Sequence, residues 1–259
     1  MNVFNFPTST DHQRHIILDV EYIGDRQLYH RYRIADPRPA KLRWPFRRVV
    51  SASVMAVRID EGVWQVEDFR SFAGADDRLV VRALFDWILE RPTHGLTTYG
   101  GASEDLPILK TAAMEYGFTL PPQLRQNERN GRDFVHTDLG LILKGGCGEF
   151  VHMTELATRL QLPGKMAGSA GQVPHFVAEG KFEAVGWISE CDVLTTSLLL
   201  ASHLASLGQV KSAPTAHYVT MGFVRARREK ATYYRVLGNY VRRAKRQMMD
   251  EQRPWLLAS

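Results

Sequence analysis

The stretch HIILDVEY, residues 15–22, has the pattern of a buried strand that ends in charged residues. Its apolar and β-branched residues predict a strand over 15–20. Asp19 and Glu21 stand two residues apart at its end. Because alternate residues of a strand point to the same side, both carboxylates project together. Two like charges on one side of a buried strand repel each other, so this pattern indicates a bound cation.

Two further carboxylates occur in predicted helices. Asp105 follows the Gly100-Gly101 turn at the start of a helix, where an acid also suits the helix dipole. Asp192 lies inside the apolar stripe of a long helix predicted over 182–207. A carboxylate there is costly to bury unpaired, so we expect a cation or an arginine beside it. Carboxylates from three separate elements suit two Mg²⁺ or Mn²⁺ ions, which prefer oxygen ligands.

The order of the predicted elements indicates an α/β fold with a mixed sheet. After the first strand, the pattern predicts a hairpin over 49–69, a helix over 76–90, a strand over 95–99, and then mainly helices, the last over 224–249. We expect three regions along the chain. Residues 1–14 form a disordered N-terminus, residues 15–212 the α/β domain, and residues 213–259 a basic helical extension.

Three segments together resemble the motifs of the DEDD (DnaQ-like) superfamily of 3′–5′ exonucleases. They are ILDVE (17–21), TYGGASEDLPIL (98–109) and WISECDVLTTSLLL (187–200). The resemblance is closest to predicted bacterial exonucleases related to the exonuclease domain of family B DNA polymerases. Two more segments, FVHTDLGLIL (134–143) and LPGKMAGSAGQV (162–173), are similar to that group as well. The likeness covers residues 15–210.

This resemblance implies a ribonuclease H-like fold, in which a five-stranded mixed sheet is flanked by helices. It implies a metal-dependent enzyme that hydrolyses phosphodiester bonds at single-stranded or frayed 3′ ends of nucleic acid, with DNA favoured over RNA. Two divalent ions, Mg²⁺ or Mn²⁺, are its implied cofactors. By motif, the candidate catalytic and metal-binding residues are Asp19, Glu21, Asp105 and Asp192.

The chain departs from the family in two motifs. The third motif normally supplies a Tyr four residues before its Asp or a His five before it, and this chain has Ile188 and Trp187 there. Neither side chain accepts a proton. Bound metals or a substitute base, His136 or His175, compensate for this loss, or else the protein is degenerate and binds nucleic acid without cleaving it. In the second motif, Glu104 replaces an aromatic residue and either joins the site or faces solvent.

The basic residues are concentrated at the C-terminal end. The 259-residue chain has a formal net charge of +5, and residues 211–259 hold 11 Lys and Arg against three acids. This excess suits nucleic acid, although a solvated basic helix has the same composition. The candidate nucleic-acid-binding residues are Lys165, Arg225, Arg227, Arg228, Arg242, Arg243, Lys245 and Arg246. An apolar stripe on the same helix also predicts docking to a partner or a homo-oligomer through the C-terminal helix.

Composition argues against several other classes of protein. No run approaches the roughly 18 apolar residues of a membrane span, so we expect no membrane association. The first residues lack a cationic segment followed by an apolar one, and we therefore expect a cytoplasmic protein. Two cysteines, Cys147 and Cys191, are too few for a disulfide framework or a four-cysteine zinc site.

Overall fold

A computed structural model describes residues 12–36, 42–125 and 136–256. Within these residues the strands are β1 (His12–Gly24), β2 (Arg47–Asp60), β3 (Val63–Ala73), β4 (Gly95–Thr98) and β5 (His136–Asp138). The helices are α1 (Arg26–Ala35), α2 (Asp77–Leu89), α3 (Asp105–Tyr116), α4 (Leu139–Lys144), α5 (Met153–Arg159), α6 (Val173–Ala178), α7 (Phe182–Ser206), α8 (Ala213–Arg227) and α9 (Tyr234–Leu256). The predicted disorder over residues 1–11 lies outside the described residues.

The five strands form one mixed sheet in the order β3-β2-β1-β4-β5. β1 is antiparallel to β2 and β2 to β3, whereas β4 is parallel to β1 and β5 to β4. The turn between β2 and β3 has positive φ at both Glu61 (48°) and Gly62 (76°), which matches the twist of a two-residue hairpin. The predicted α/β class and the five-stranded mixed sheet flanked by helices are confirmed.

The alternation of β1 separates two cores. Ile17 packs with residues of α7 and α8 on one face of the sheet. Ile16 and Leu18 pack with residues of α2 and α3 on the other face. Asp19 and Glu21 share the parity of Ile17, so the strand directs them toward α7.

The helix α7 is the centre of the first core. By length and composition alone it could cross a membrane, with a mean hydropathy of 1.3 in its most apolar 18-residue window. That window is 89% buried inside the fold, however, as expected of a core helix. The buried position explains why its polar residues, Asp192 among them, must find partners within the protein.

The C-terminal helices differ from the predicted single helix over 224–249. α8 ends at Arg227, and α9 begins only at Tyr234. Between them, Nε of Arg228 donates to the buried Oε1 of Glu190 on α7 at 2.7 Å, and the hydroxyl of Tyr233 donates to Oε2 at 2.6 Å. These two contacts fix the intervening chain against α7 and account for the interruption.

Two other segments differ from the sequence-based expectation. β1 begins at His12, so residues 12–14, predicted to be disordered, belong to the strand. α1 was not predicted, although its N-cap residue Asp25 accepts a hydrogen bond from the backbone N–H of Leu28 at 2.8 Å. An Asp before a helical segment is a common start signal that the sequence offered.

The apolar stripe of the last helix packs within the chain. Tyr233 and Leu237 are buried in the first core, and Tyr240 and Val241 pack against it. Val236 is exposed. Most of the stripe is therefore covered without a second copy. A homo-oligomer stays a prediction, as do the domain boundaries at residues 14 and 212.

Tyr233→Phe tests how α9 is held to α7. The substitution removes a hydrogen bond to a buried charged carboxylate, so we expect the free energy of unfolding to fall by about 1.5–3 kcal/mol. Urea denaturation followed by circular dichroism measures this change. Tyr240→Phe, seven residues later on α9 itself, is the control, because no hydrogen bond is described for that hydroxyl. Equal losses for the two variants would contradict this account.

Candidate active site

Three carboxylates meet between β1 and α7. One carboxylate oxygen from each of Asp19, Glu21 and Asp192 lies within 4.8 Å of the other two. Glu21 and Asp192 are each only 6% exposed, so their charges are held largely out of water. The two β1 acids thus project from one face, as the alternation of the strand predicts.

Asp105 approaches this group from the first turn of α3 and is itself buried. Burial, followed by the charges of Asp138 and Asp192, raises the pKa of Asp105 to about 7. The turn that precedes it requires glycine, since a Cβ on Gly101 would lie 2.9 Å from Oδ2 of Asp105 and 2.7 Å from Cβ of Thr98. All four predicted acids are therefore close enough to affect one another's charge.

Asp138 holds the turn that carries Asp105. Its Oδ1 accepts hydrogen bonds from the backbone N–H groups of Gly100 at 2.8 Å and Leu141 at 3.3 Å. Its Oδ2 accepts one from the N–H of Ala102 at 3.0 Å. Because Asp138 is also the N-cap of α4, one carboxylate ties β5, α4 and the turn after β4 together. The sequence places this Asp in the FVHTDLGLIL segment but gives no sign of its bonds to the turn.

Burial is the main cause of the raised pKa values in the cluster. It raises the pKa of Asp19 well above the ordinary value, and repulsion from Asp192 and Asp105 adds to this effect. Burial and the charge of Asp192 raise the pKa of Glu21 to about 8. Burial also raises the pKa of Asp192, against the opposing charge of Lys165. The cluster therefore disfavours full ionisation unless cations enter it.

The sequence predicts a cation or an arginine beside Asp192, and the side chain found there is Lys165. Its Nζ donates to Oδ2 of Asp192 from the glycine-rich loop before α6. Burial lowers the pKa of Lys165, but the charges of Asp192, Asp19 and Glu21 outweigh burial and raise it. Lys165 was predicted to contact nucleic acid, and the structure places its ammonium group among the acids.

The acid cluster lacks partners for two of its oxygens. Within the described residues, Oδ2 of Asp19 and Oδ1 of Asp192 are buried without a hydrogen bond. A buried carboxylate oxygen without a partner is unfavourable, and a single lysine cannot neutralise four acids. Divalent cations bind oxygen ligands of this type, so the residues present fit a divalent metal site.

The third motif places packed side chains where the family has Tyr or His. Ile188 is 1% exposed and packs with Val50, Val173 and Val185. Trp187 lines a separate cavity of about 640 Å³ between α7 and the segment that follows α8. Neither position supplies a polar group to the acids.

The two histidines predicted as substitute bases lie apart from the acids. Nε2 of His136 shares a hydrogen bond with Oγ1 of Thr98 at 2.8 Å, and burial lowers the pKa of His136 to about 4. His175 is exposed on α6, with Nε2 3.5 Å from a carboxylate oxygen of Glu179. Among the described contacts, neither ring touches the acid cluster.

Glu104 lies at the edge of the site, where it contacts Arg47 and Tyr22. It forms an ion pair with Arg47 and accepts a hydrogen bond from the hydroxyl of Tyr22 at 3.1 Å. The guanidinium carbon of Arg47 lies 4.3 Å from the centre of the Tyr22 ring. Glu104 is therefore paired, and Arg47 forms a second positive group beside Asp105.

The basic residues of the C-terminal segment have different surroundings. Arg225 stacks on Tyr234 and Arg227 on Phe223, at 4.4 and 3.5 Å from guanidinium carbon to ring centre. Arg228 is engaged in its ion pair with Glu190. On α9, Arg243 is half-buried beside a cavity of about 210 Å³. Three exposed residues, here called the basic face, complete the set: Arg242, Lys245 and Arg246.

The sheet order and the covering helices define a ribonuclease H-like fold, and the buried acids form an acidic site at its centre. A family model described as a predicted 3′–5′ exonuclease related to the exonuclease domain of PolB matches residues 41–232. The chain belongs to this family of predicted 3′–5′ exonucleases. The matched range contains Asp105 and Asp192 and begins after β1.

Two solved structures are similar to this chain at low sequence identity, and the first of them shares its fold. The family B DNA polymerase of the archaeon Pyrobaculum calidifontis is similar over 85% of this chain and 28% of its own, with 16% identity and a TM-score of 0.55. E. coli exonuclease I in complex with a 5cy-dT13 oligonucleotide is matched over 75% of this chain and 40% of its own, with 10% identity and a TM-score of 0.45. The chain thus spans less than half of either protein. A comparison with curated protein sequences found no match.

The raised pKa values predict that the metal-free protein loses stability as the pH rises above 6.5. In the folded state Glu21 and Asp105 keep protons up to about pH 8 and 7, whereas in the unfolded chain both are ionised by pH 6.5. Because the folded state binds more protons, the free energy of unfolding falls between pH 6.5 and 8.5. We expect the melting temperature in EDTA to fall over this range, and added divalent metal to restore it most at pH 8.5.

The buried histidines act in the opposite direction at the lower end of this window. Burial lowers the pKa values of His15, His136 and His217 to about 4, so the unfolded chain binds more protons at these side chains until about pH 7.5. This contribution is the same in the wild type and in variants of the acids, so the comparison between them isolates the effect of the acids. Asp105→Asn should show a smaller fall and a smaller recovery. Asp86→Asn, an exposed acid on α2, should behave like the wild type. An equal change of the melting temperature in Asp105→Asn and the wild type from pH 6.5 to 8.5 in EDTA would contradict the account.

Proposed function

We propose that the protein is a two-metal 3′–5′ exonuclease that removes nucleotides from single-stranded ends of DNA. The observation that carries the proposal is the pair of buried carboxylate oxygens without partners, on Asp19 and Asp192, next to Glu21 and Asp105. Oxygen ligands with an excess of negative charge suit Mg²⁺ or Mn²⁺. When bound, such a pair of ions supplies an activated water and stabilises the departing 3′ oxygen.

The four acids hold this site from rigid elements. Asp19 and Glu21 extend from a central strand, and Asp192 from the buried middle of α7. Asp105 is fixed by a glycine turn whose backbone N–H groups bind Asp138. Since none of these acids lies in a long loop, the site is formed before substrate arrives, which favours catalysis by electrostatic stabilisation.

Two cations flank the acids and would bind the phosphate of the scissile bond. Lys165 contacts Asp192 on one side. On the other side, the charge of Arg47 opposes the burial and repulsion that raise the pKa of Asp105. Once the charge of the acids is neutralised, Lys165 can turn from Asp192 to a phosphate oxygen. Cationic side chains in such positions stabilise the negative charge that develops on a phosphate during hydrolysis.

Three features support single-stranded DNA as the substrate. Glu21 and Asp192 are nearly inaccessible, so the end of a single strand reaches them more easily than the interior of a duplex does. The basic face on α9 offers sequence-independent contacts to a backbone. The relation of the family to the exonuclease domain of a DNA polymerase favours DNA over RNA.

A protein of the same fold that binds strands without cleaving them is the second candidate. The observation that favours it is the packing of Ile188, which leaves the usual position of a tyrosine without a polar group. General acid–base assistance typically contributes roughly 10²–10⁴ in rate, so its loss slows a nuclease without removing the metal contribution. The same assay separates the two candidates.

We expect a 5′-labelled single-stranded oligonucleotide to shorten progressively from its 3′ end with Mg²⁺ or Mn²⁺, and to stay intact in EDTA. Asp19→Asn and Asp105→Asn preserve side-chain shape but weaken the metal site, so each should lower the rate at least about 100-fold. Asp86→Asn on α2 is the matched control and should retain wild-type activity. An oligonucleotide that binds but stays intact in every lane would exclude the nuclease and leave the second candidate.

Lys165→Met tests the role of the loop cation. Methionine keeps most of the length of the side chain but not its charge, so the rate should fall by about 10²-fold, and Lys165→Arg should recover part of it. Single-turnover cleavage of the same oligonucleotide measures both. Because the loss of Lys165 removes a competitor for Asp192, metal affinity should not fall. Unchanged cleavage in Lys165→Met would refute the role.

The basic face predicts a change in the salt dependence of binding. The triple variant Arg242→Gln, Lys245→Gln, Arg246→Gln removes three positive charges. If each contacts a phosphate, the slope of log affinity against log salt should become shallower by about 2. Fluorescence anisotropy with a labelled single strand in EDTA measures the slope. The double variant Arg78→Gln, Arg82→Gln on α2 is the control and should leave the slope unchanged. If the control changes the slope as much as the triple variant does, α9 has no specific role in binding.

A further inference from the structure

Phe150 is a half-exposed aromatic residue that sits over the turn leading to Asp105. It follows the glycine-rich segment after α4 and is 48% exposed. The ring packs edge-on against Tyr99, with 5.8 Å between ring centres, and lies 6.4 Å from the ring of His152. An exposed phenyl ring in this place is not needed to fill the core, since neither core cluster includes it.

Two glycines form a seat for this ring. A Cβ on Gly100 would lie 2.9 Å from Cζ of Phe150, and a Cβ on Gly140 would lie 3.0 Å from its Cε2. Any larger residue at either position would displace the ring. Phe150 is therefore held in one place on its inner side while the rest of the ring faces solvent. A ring fixed in this way loses little conformational entropy when another flat group stacks on it.

The ring lies on the same side of the sheet as the acids. Ile17 of β1 pairs with Thr97 of the parallel strand β4, and Asp19 and Tyr99 each follow two residues later along the chain. Tyr99 packs against the first core, as Ile17 does. On the other side of the turn, Gly101 abuts the carboxylate of Asp105. The exposed ring of Phe150 thus borders the site at the ends of β4 and β5.

We propose that Phe150 is a stacking platform for the base of the 3′-terminal nucleotide. The inference rests on the proposed function, because it requires a strand whose last phosphate lies at the acids. Bases stack on aromatic side chains irrespective of sequence, since every base has a flat π face. A fixed ring beside the proposed hydrolytic site suits that role, and the ring itself is 48% exposed and open to solvent on its outer side.

The test measures kcat/KM for removal of the last nucleotide from two single-stranded oligonucleotides. One ends in an ordinary thymidine, and the other ends in a tetrahydrofuran residue that lacks the base. Phe150→Leu keeps an apolar group against the glycine seat but removes the aromatic face, and Phe150→Trp restores an aromatic face. Leu207→Ala, with the same exposure (49%) at the far end of α7, is the matched control. Melting temperatures of all variants exclude unfolding as a cause.

We expect Phe150→Leu to lower kcat/KM about 5- to 150-fold on the ordinary end, the range of one base–aromatic stack, and to have no effect on the end without a base. Phe150→Trp should recover part of the activity that Phe150→Leu loses on the ordinary end, and Leu207→Ala should stay near wild type on both substrates. An equal loss on both substrates, or no loss on either, would overturn the proposal while leaving the nuclease intact. If the wild type cleaves neither oligonucleotide, the proposed function itself fails and this inference fails with it.

Discussion

The repulsion among buried carboxylates is the constraint on which the rest of the site depends. Asp19, Glu21 and Asp192 bring oxygens within 4.8 Å of one another, and Asp105 adds a fourth charge nearby. Water cannot dissipate this charge, because the acids are largely buried. The protein responds with one ammonium group, on Lys165, and with pKa values raised far enough to keep protons near neutral pH. The four acids still carry more negative charge than Lys165 can neutralise, and divalent ions can supply the missing positive charge.

The fold keeps these acids together in spite of their repulsion. A central strand and the middle of a buried helix cannot move apart without disrupting the first core. The third element, the turn before α3, is weaker by itself, and Asp138 strengthens it by accepting hydrogen bonds from the N–H groups of Gly100, Ala102 and Leu141. Repulsion at the site is thus opposed by packing and by hydrogen bonds elsewhere in the fold, as is common at functional sites.

Much of the site could be predicted from local patterns. Strand alternation alone puts Asp19 and Glu21 on one face, and the apolar neighbours of Asp192 in the sequence are enough to indicate a cation beside it. That this cation is Lys165 could not be predicted, because a loop 27 residues away in sequence reaches it only through the tertiary fold. The hydrogen bonds from Gly100 and Ala102 to Asp138 could not be predicted either. These two residues precede Asp138 by 38 and 36 positions in the sequence and follow a different strand, β4.

The errors have physical causes as well. Helical periodicity continues from α8 into α9, so the sequence predicts one helix, whereas buried contacts from Arg228 and Tyr233 to Glu190 interrupt it. Phe150 gave no periodic signal, since it lies in an irregular segment that follows Gly145, Gly146 and Gly148. His136 and His175 were candidate bases only because histidine can accept a proton. In the structure, His136 forms a hydrogen bond with Thr98, and His175 lies at the surface.

The most direct test of this account is the proton balance of metal binding. Mn²⁺ binding can be measured by calorimetry at pH 7 in two buffers of different ionisation enthalpy, with Asp105→Asn for comparison. The account predicts release of protons on binding to the wild type, because Glu21 and Asp105 hold protons near neutral pH until a cation replaces them. It predicts weaker binding and less proton release in the variant. Tight binding without proton release, or no binding, would contradict the claim that buried, repelling carboxylates form the metal site.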